Sequence, residues 1–158
     1  MKKNVLLILS LCLTFSLWAE NEIPRHGLST HIGGSLALVE YEYQYRFIVR
    51  EKHAISATAG INSIAIALGF PIGINYTYGH KNQLLLGLRF LPSVLIMSFD
   101  DEIEVPAWIY FTNFRIGYGR EIMLFKQPCT LYLYASPAVS LVHGNIIPWA
   151  GLGLTQYF

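Results

Sequence analysis

Apolar and polar residues alternate with a period of two along several segments of the chain. The clearest is 39–47, in which every odd position is apolar or aromatic and every even position is charged or an amide. Successive side chains of a β-strand point to opposite faces, so this segment is predicted to be a strand with one apolar and one polar face. The same alternation recurs in 72–79, 84–90 and 112–119. No helical period competes after the first twenty residues, and the chain is therefore predicted to be all-β.

Turn signals between the alternating segments divide the chain into eight strands. The predicted strands are 28–32, 37–49, 54–67, 71–79, 84–97, 107–120, 130–142 and 148–158. Short turns are expected at 50–53, 80–83 and 121–128, and outer loops at 33–34, 68–71, 98–106 and 143–148. An even number of strands, with short turns at one end and longer loops at the other, is typical of outer-membrane barrels. The pattern predicts an antiparallel up-and-down transmembrane β-barrel of eight strands.

The N-terminus carries the features of an export signal. Two lysines precede an apolar run over 5–17, and Ala19 offers a small residue at a cleavage point. The run is shorter than the roughly 20 residues that a membrane-spanning helix needs. We expect a cleaved signal peptide at 1–19 and an outer-membrane barrel domain at 20–158. An uncleaved anchor and a lipid-modified Cys12 are the alternatives.

Composition narrows the possible classes of function. The mean hydropathy is +0.41. The formal net charge is +1, so the chain lacks the excess of positive charge that is typical of nucleic-acid-binding proteins. High apolar content without a helix-length apolar run is typical of a lipid-facing barrel, because lumen residues interrupt each run. Once Cys12 leaves with the signal, Cys129 is alone. We expect it to be a small apolar filler, and pairing between chains is the alternative.

Three segments resemble small outer-membrane barrels of Bacteroidetes-type bacteria, namely 41–47, 70–82 and 148–158. The resemblance implies a fold and a location in the bacterial outer membrane, and it brings no catalytic residues. Phe158 also resembles the assembly signal that barrel-assembly machinery reads. That signal usually has a second aromatic residue two positions earlier, where this chain has Gln156. The implied partners are this machinery and outer-membrane lipid, with lipopolysaccharide in the outer leaflet.

Five charged residues are predicted to point into the barrel. Glu40, Glu42 and Arg46 share the polar face of one predicted strand, and Arg89 and Arg115 lie on the polar faces of two others. Eight strands enclose an interior just wide enough for side chains to fill, and charges removed from water need partners. We predict a polar network in the lumen in which these charges pair and fill the interior. A polar lumen that selects a solute is the alternative.

Other candidate chemistry has fewer signals. A lipid-modifying enzyme would need a Ser–His pair near the outer rim, for which Ser29, His31 and His143 are the candidates, but no local motif joins them to an orienting acid. An acidic cluster within 100–104 offers carboxylates for a divalent ion or for lipopolysaccharide phosphates held through such ions. It lacks the spacing of an EF-hand loop, and the five histidines lack zinc-ligand spacing. No metal or other cofactor is predicted.

Four classes of function are consistent with these observations. We favour a non-enzymatic barrel with a structural or envelope-interaction role. The alternatives are a narrow pore or lateral path for small or hydrophobic solutes, a lipid-modifying outer-membrane enzyme, and a secreted soluble barrel that binds an apolar ligand inside. The direction of Tyr41, Tyr43 and Tyr45 separates the last class from the others. They should point outward in a membrane barrel and inward in a soluble one.

Overall fold

A computed structural model describes residues 24–34, 36–64, 67–96, 106–124 and 127–158. The predicted signal peptide and the acidic cluster within 100–104 lie outside these residues. The strands are β1 His26–Ile32, β2 Val39–Arg50, β3 His53–Ile64, β4 Ala67–Gly69, β5 Ile72–Gly79, β6 Asn82–Leu95, β7 Ala107–Leu124, β8 Gln127–Ala135, β9 Ala138–Ser140, β10 Ile146–Ile147 and β11 Ala150–Tyr157. Within the described ranges, no helix is long and apolar enough to cross a membrane.

The strands form one antiparallel sheet that closes on itself. Pairing runs from β1 through β2, β3, β5, β6, β7 and β8 to β11, and β11 pairs with β1 again. The closing register extends from Ile32↔Leu152 to Gly27↔Tyr157. Phe158 extends it, since its backbone N–H donates to the His26 carbonyl at 2.8 Å. The predicted fold of eight antiparallel strands in a barrel is confirmed, and the first and last strands close it.

Two of the eight barrel strands are kinked at proline. β4 and β5 both pair with β3 and β6, and they are separated at Pro71. β8 and β9 both pair with β7, and they are separated at Pro137. Proline has no N–H to donate to the sheet, so the ladder is interrupted at both positions.

Two predicted connections are wrong. The first half of the loop expected at 68–71 lies within β4, whose Leu68 pairs with Ser63 on one side and Val94 on the other. The ladder resumes beyond the Pro71 kink because neighbouring strands on both sides still offer backbone partners. The turn expected at 121–128 is also shorter, since Leu124 pairs with Gln127.

The barrel has a polar interior and an apolar exterior. Tyr41, Tyr43 and Tyr45 are 42%, 43% and 38% exposed, whereas the residues between them are buried. These tyrosines therefore face away from the barrel interior, which is lined by polar side chains at these positions. The alternation ends at a β-bulge between Arg46 and Ile48, which allows both Phe47 and Ile48 to face outward. Other outward residues predicted from the pattern are also exposed, namely Ile74, Leu86, Leu88, Phe114, Ile116 and Leu152.

Candidate functional site

Four of the predicted lumen charges meet in one cluster that crosses the barrel. Glu40 and Glu42 are two residues apart on β2, so the strand period points both inward. Arg89 on β6 reaches them from a wall that is separated from β2 by β3 and β5. Its Nη1 lies 2.5 Å from Glu40 Oε1, and its Nη2 contacts Glu42 Oε2. Arg115 on β7 places Nη2 3.1 Å from the same Glu40 oxygen. Four of the five residues of the predicted network are thus joined by ion pairs, and Arg46 is not among them.

The charges of this ion cluster balance. Two carboxylates face two guanidinium groups, and all four side chains are almost fully buried. Removing an ion from water costs several kcal/mol, and a close partner with good hydrogen bonds offsets that cost. A guanidinium that contacts two carboxylates also joins opposite walls of the barrel. The cluster therefore fills the middle of the lumen and holds its walls together.

Two rings enclose the cluster. The Arg115 guanidinium lies 4.2 Å from the centroid of the Tyr134 ring, within the range of a cation–π interaction. The edge of the His31 ring meets Tyr134 with centroids 5.6 Å apart, and His31 Nε2 lies 3.9 Å from Glu40 Oε1. A Cβ at Gly153 would overlap the His31 ring. Gly153 therefore provides the space that this buried ring occupies.

A second layer of polar contacts lies between the ion cluster and the short turns. Gln44 Nε2 donates to Ser29 Oγ at 2.8 Å and to Glu42 Oε1 at 2.9 Å. The Tyr157 hydroxyl donates to Gln44 Oε1 at 2.9 Å. Arg46 belongs to this layer, since its guanidinium stacks 3.2 Å from the Tyr157 ring centroid. The structure thus places Arg46 in the lumen, apart from the ion cluster.

Three residues of the lumen also have ligand types suited to a metal. His31, Glu40 and Glu42 offer ligand atoms that lie within 4.8 Å of one another. Both carboxylates, however, are already in contact with guanidinium groups. A divalent ion beside them would be repelled by two buried positive charges. The arrangement suits an internal ion network better than a metal centre.

The candidates for a lipid-modifying enzyme are not brought together. Ser29 Oγ is hydrogen-bonded to Thr155 Oγ1 at 2.8 Å and to Gln44. His31 is buried in the lumen, and His143 is exposed in the loop after β9. The structure therefore forms no Ser–His pair from these three residues. Cys129 is buried at the start of β8, in keeping with its expected role as an apolar filler.

Phe158 lies where the barrel closes. Its ring stacks on His26, with centroids 6.1 Å apart, and it is partly exposed. His26 in turn accepts or donates a hydrogen bond at 2.5 Å between its Nδ1 and the Tyr43 hydroxyl. The C-terminal residue therefore contacts the first strand, at the end of the barrel with the short turns.

Two rings of the lumen, those of His31 and Tyr134, were not predicted from the sequence. The sequence pattern predicts only that His31 lies near an outer turn, because the short strand β1 has no clear alternation. Tyr134 was not assigned to the interior, because β8 is apolar on both faces around it. The available sequence signal was polarity, because Thr130 and Ser136 are polar, share the two-residue period of Tyr134 and are both buried.

Comparison with protein-family models, curated proteins and solved structures gives no match to this chain. The fold and the interior define its class at the level of architecture. It is a closed antiparallel β-barrel of eight strands with an ion-paired lumen and an apolar outer surface.

Proposed function

We propose that this chain is an outer-membrane β-barrel that acts without catalysis, in a structural or envelope-interaction role. The observation that carries the proposal is the outer surface, on which large apolar side chains are exposed around the barrel. In water, a contiguous apolar patch above a few hundred Å² marks an interaction site or an aggregation hazard. An apolar surface that surrounds the barrel is favourable where the surroundings are the hydrocarbon chains of a lipid bilayer.

The height of the apolar band agrees with a bilayer. On β7 the outward residues from Trp108 to Tyr118 span ten residue intervals. At about 3.3 Å per residue this is roughly 33 Å along the strand. A tilt of about 40° reduces it to roughly 25 Å along the barrel axis, the height of the apolar band in outer-membrane barrels. β7, the longest of the described strands, is therefore long enough to cross the membrane.

Aromatic side chains border the band at both ends. Near the short turns, the Tyr76 hydroxyl lies 2.6 Å from His53 Nδ1, and the Tyr118 hydroxyl donates to Asn82 at 2.7 Å. Near the outer loops, Trp108 stacks on Tyr110 with centroids 6.4 Å apart. Aromatic rings with a polar group prefer the membrane–water interface, where one end is apolar and the other wet. Two aromatic girdles are typical of transmembrane barrels.

The interior favours a closed barrel over a pore. Eight strands leave no channel of porin size, and the ion cluster of Glu40, Glu42, Arg89 and Arg115 occupies the middle of the lumen. An open path for solutes would require these buried ion pairs to separate. We therefore propose that the lumen is a structural plug and that function resides on the outer surface and loops.

The proposal includes export and assembly. A signal peptide at 1–19 delivers the chain to the periplasm, and barrel-assembly machinery inserts it with Phe158 as part of the recognised signal. Its surroundings are then outer-membrane lipid and lipopolysaccharide.

Cell fractionation tests this proposal. The full-length chain is expressed in a Gram-negative host beside a variant that lacks residues 1–19. We expect the full-length chain in the outer-membrane fraction, with a gel mobility that changes on heating. The variant without the signal is expected in the cytoplasm. Folded protein that remains wholly in the soluble periplasmic fraction would overturn the proposal.

A further inference from the structure

The end of the barrel with the short turns has a cavity of about 380 Å³. Arg50 and Lys52 from the β2–β3 turn and Lys81 from the β5–β6 turn line it, and Arg46 reaches it from the lumen. Glu51 and Glu121 are the acidic residues of its lining. Four basic side chains against two acidic ones leave a formal excess of two positive charges. We propose that this turn-end cavity binds a phosphate group carrying two negative charges, such as a phosphate monoester.

The backbone holds the two turns side by side. The Gly79 N–H donates to the Lys52 carbonyl at 2.7 Å, and the Glu121 N–H donates to the Lys81 carbonyl at 2.7 Å. Gly79 adopts a φ of 123°, a conformation that side-chain-bearing residues rarely accept. The backbone of both lysines is thus held in neighbouring turns. An anion can contact cations from two turns without reorganisation of the backbone.

The positive charges that line the turn-end cavity are available to a ligand. Arg50, Lys52 and Lys81 are exposed, and within the described residues none of them forms an ion pair with Glu51 or Glu121. The buried ion cluster deeper in the lumen is already balanced and does not neutralise them. Like charges gathered around a concave mouth raise the local concentration of anions.

The formal charge and the volume of the cavity favour a phosphate group as its ligand. A dianion matches the formal excess of the lining, whereas a single carboxylate would leave part of it uncompensated. Arginine and lysine are the residues that bind phosphate most often, through forked hydrogen bonds and as a point charge. The volume lies in the range of small-ligand pockets, about 300–1,000 Å³. The phosphate can belong to a soluble ester or to a lipid headgroup in the adjacent leaflet.

The proposal is tested by NMR titration of the full folded protein in a maltoside detergent, which brings no phosphate. Inorganic phosphate is the soluble probe, and bicelles with phosphatidic acid, compared with bicelles of phosphatidylcholine alone, are the lipid probe. We expect saturable shifts of the Lys52 and Lys81 amides. Saturation by inorganic phosphate alone identifies a soluble ester, and a response only to phosphatidic acid identifies a headgroup. Either result supports the cavity as a phosphate site.

A charge-neutralising pair of substitutions measures the contribution of the lysines. Lys52→Gln with Lys81→Gln should weaken phosphate binding at least tenfold, because two charge-assisted contacts are lost. Arg120→Gln is the matched control, since Arg120 is exposed at the same end of the barrel and does not line the cavity. It should leave the affinity within twofold. Equal effects of the two variants, or shifts that never saturate with either probe, would overturn the proposal.

Discussion

Removal of Arg89 is expected to be the most damaging single change in the lumen. In Arg89→Met, Glu42 loses its contact with a guanidinium and keeps the hydrogen bond from Gln44 Nε2 at 2.9 Å. Glu40 keeps Arg115 at 3.1 Å. Breaking a buried ion pair from one side costs about 3–5 kcal/mol. Because both carboxylates keep a partner, we expect a loss near the lower end, about 3 kcal/mol in the free energy of unfolding.

A double-mutant cycle separates unpaired charge from lost packing. Glu42→Gln with Arg89→Met restores the charge balance, since Glu40 and Arg115 remain. We expect the double variant to lie within about 1 kcal/mol of wild type, so the coupling energy between the two positions is at least about 2 kcal/mol, and any loss measured for Glu42→Gln alone adds to it. The assay is urea unfolding of the barrel in lipid vesicles, followed by tryptophan fluorescence and by heat-dependent gel mobility.

The control and the refuting results are equally specific. Arg120→Met removes an exposed arginine, and it should change the free energy of unfolding by no more than about 0.5 kcal/mol. A loss in Arg89→Met as small as in this control would show that the ion cluster does not stabilise the barrel. Simple additivity of the two single changes would show that Glu42 and Arg89 do not act as a pair.

Three further predictions concern the lumen, the outer surface and the closing strand. Purified protein in planar bilayers should show no large steady single-channel currents, and such currents would contradict a plugged lumen. Gly153→Val should destabilise the barrel by about 1–3 kcal/mol in the same urea assay, because a larger side chain meets the buried His31 ring; an unchanged midpoint would contradict this contact. Phe158→Asp should lower the amount of heat-modifiable barrel in outer-membrane fractions, while barrel that does assemble keeps nearly normal stability, because a charge costs least near an interface. Equal amounts of assembled protein in variant and wild type would argue against Phe158 as an assembly signal.

The two-residue period of β-strands predicted whether most residues of the barrel wall face inward or outward. In β2, β5 and β7 polar and apolar residues alternate cleanly, so the face that each residue occupies could be assigned from the sequence. The kinked strands were harder, because Pro71 reads as the end of a loop although the ladder resumes on both sides of it. The bulge between Arg46 and Ile48 could not be predicted, because no residue there interrupts the run of strand-forming residues.

The sequence predicted which charged residues point into the lumen, but it did not predict which of them form ion pairs with each other. The alternation identified Glu40, Glu42, Arg89 and Arg115 as inward charges. The choice of partners depends on which walls face each other across the barrel, and that depends on register and closure. Arg46 shows the difference, since it points inward as predicted but stacks on Tyr157 instead of joining the ion cluster.

The central claim is that the apolar outer surface faces lipid, and depth-dependent fluorescence quenching tests it most directly. Two variants lack Trp149. The first keeps Trp108, at the outer-loop end of the band, and the second replaces Trp108 by Phe and carries Leu88→Trp near its middle. Both are reconstituted in phospholipids brominated either near the headgroup or near the chain ends. We predict that deep bromines quench Trp at position 88 most strongly and that shallow bromines quench Trp108. Quenching of position 88 by aqueous iodide, with no response to either lipid, would contradict a membrane-embedded barrel.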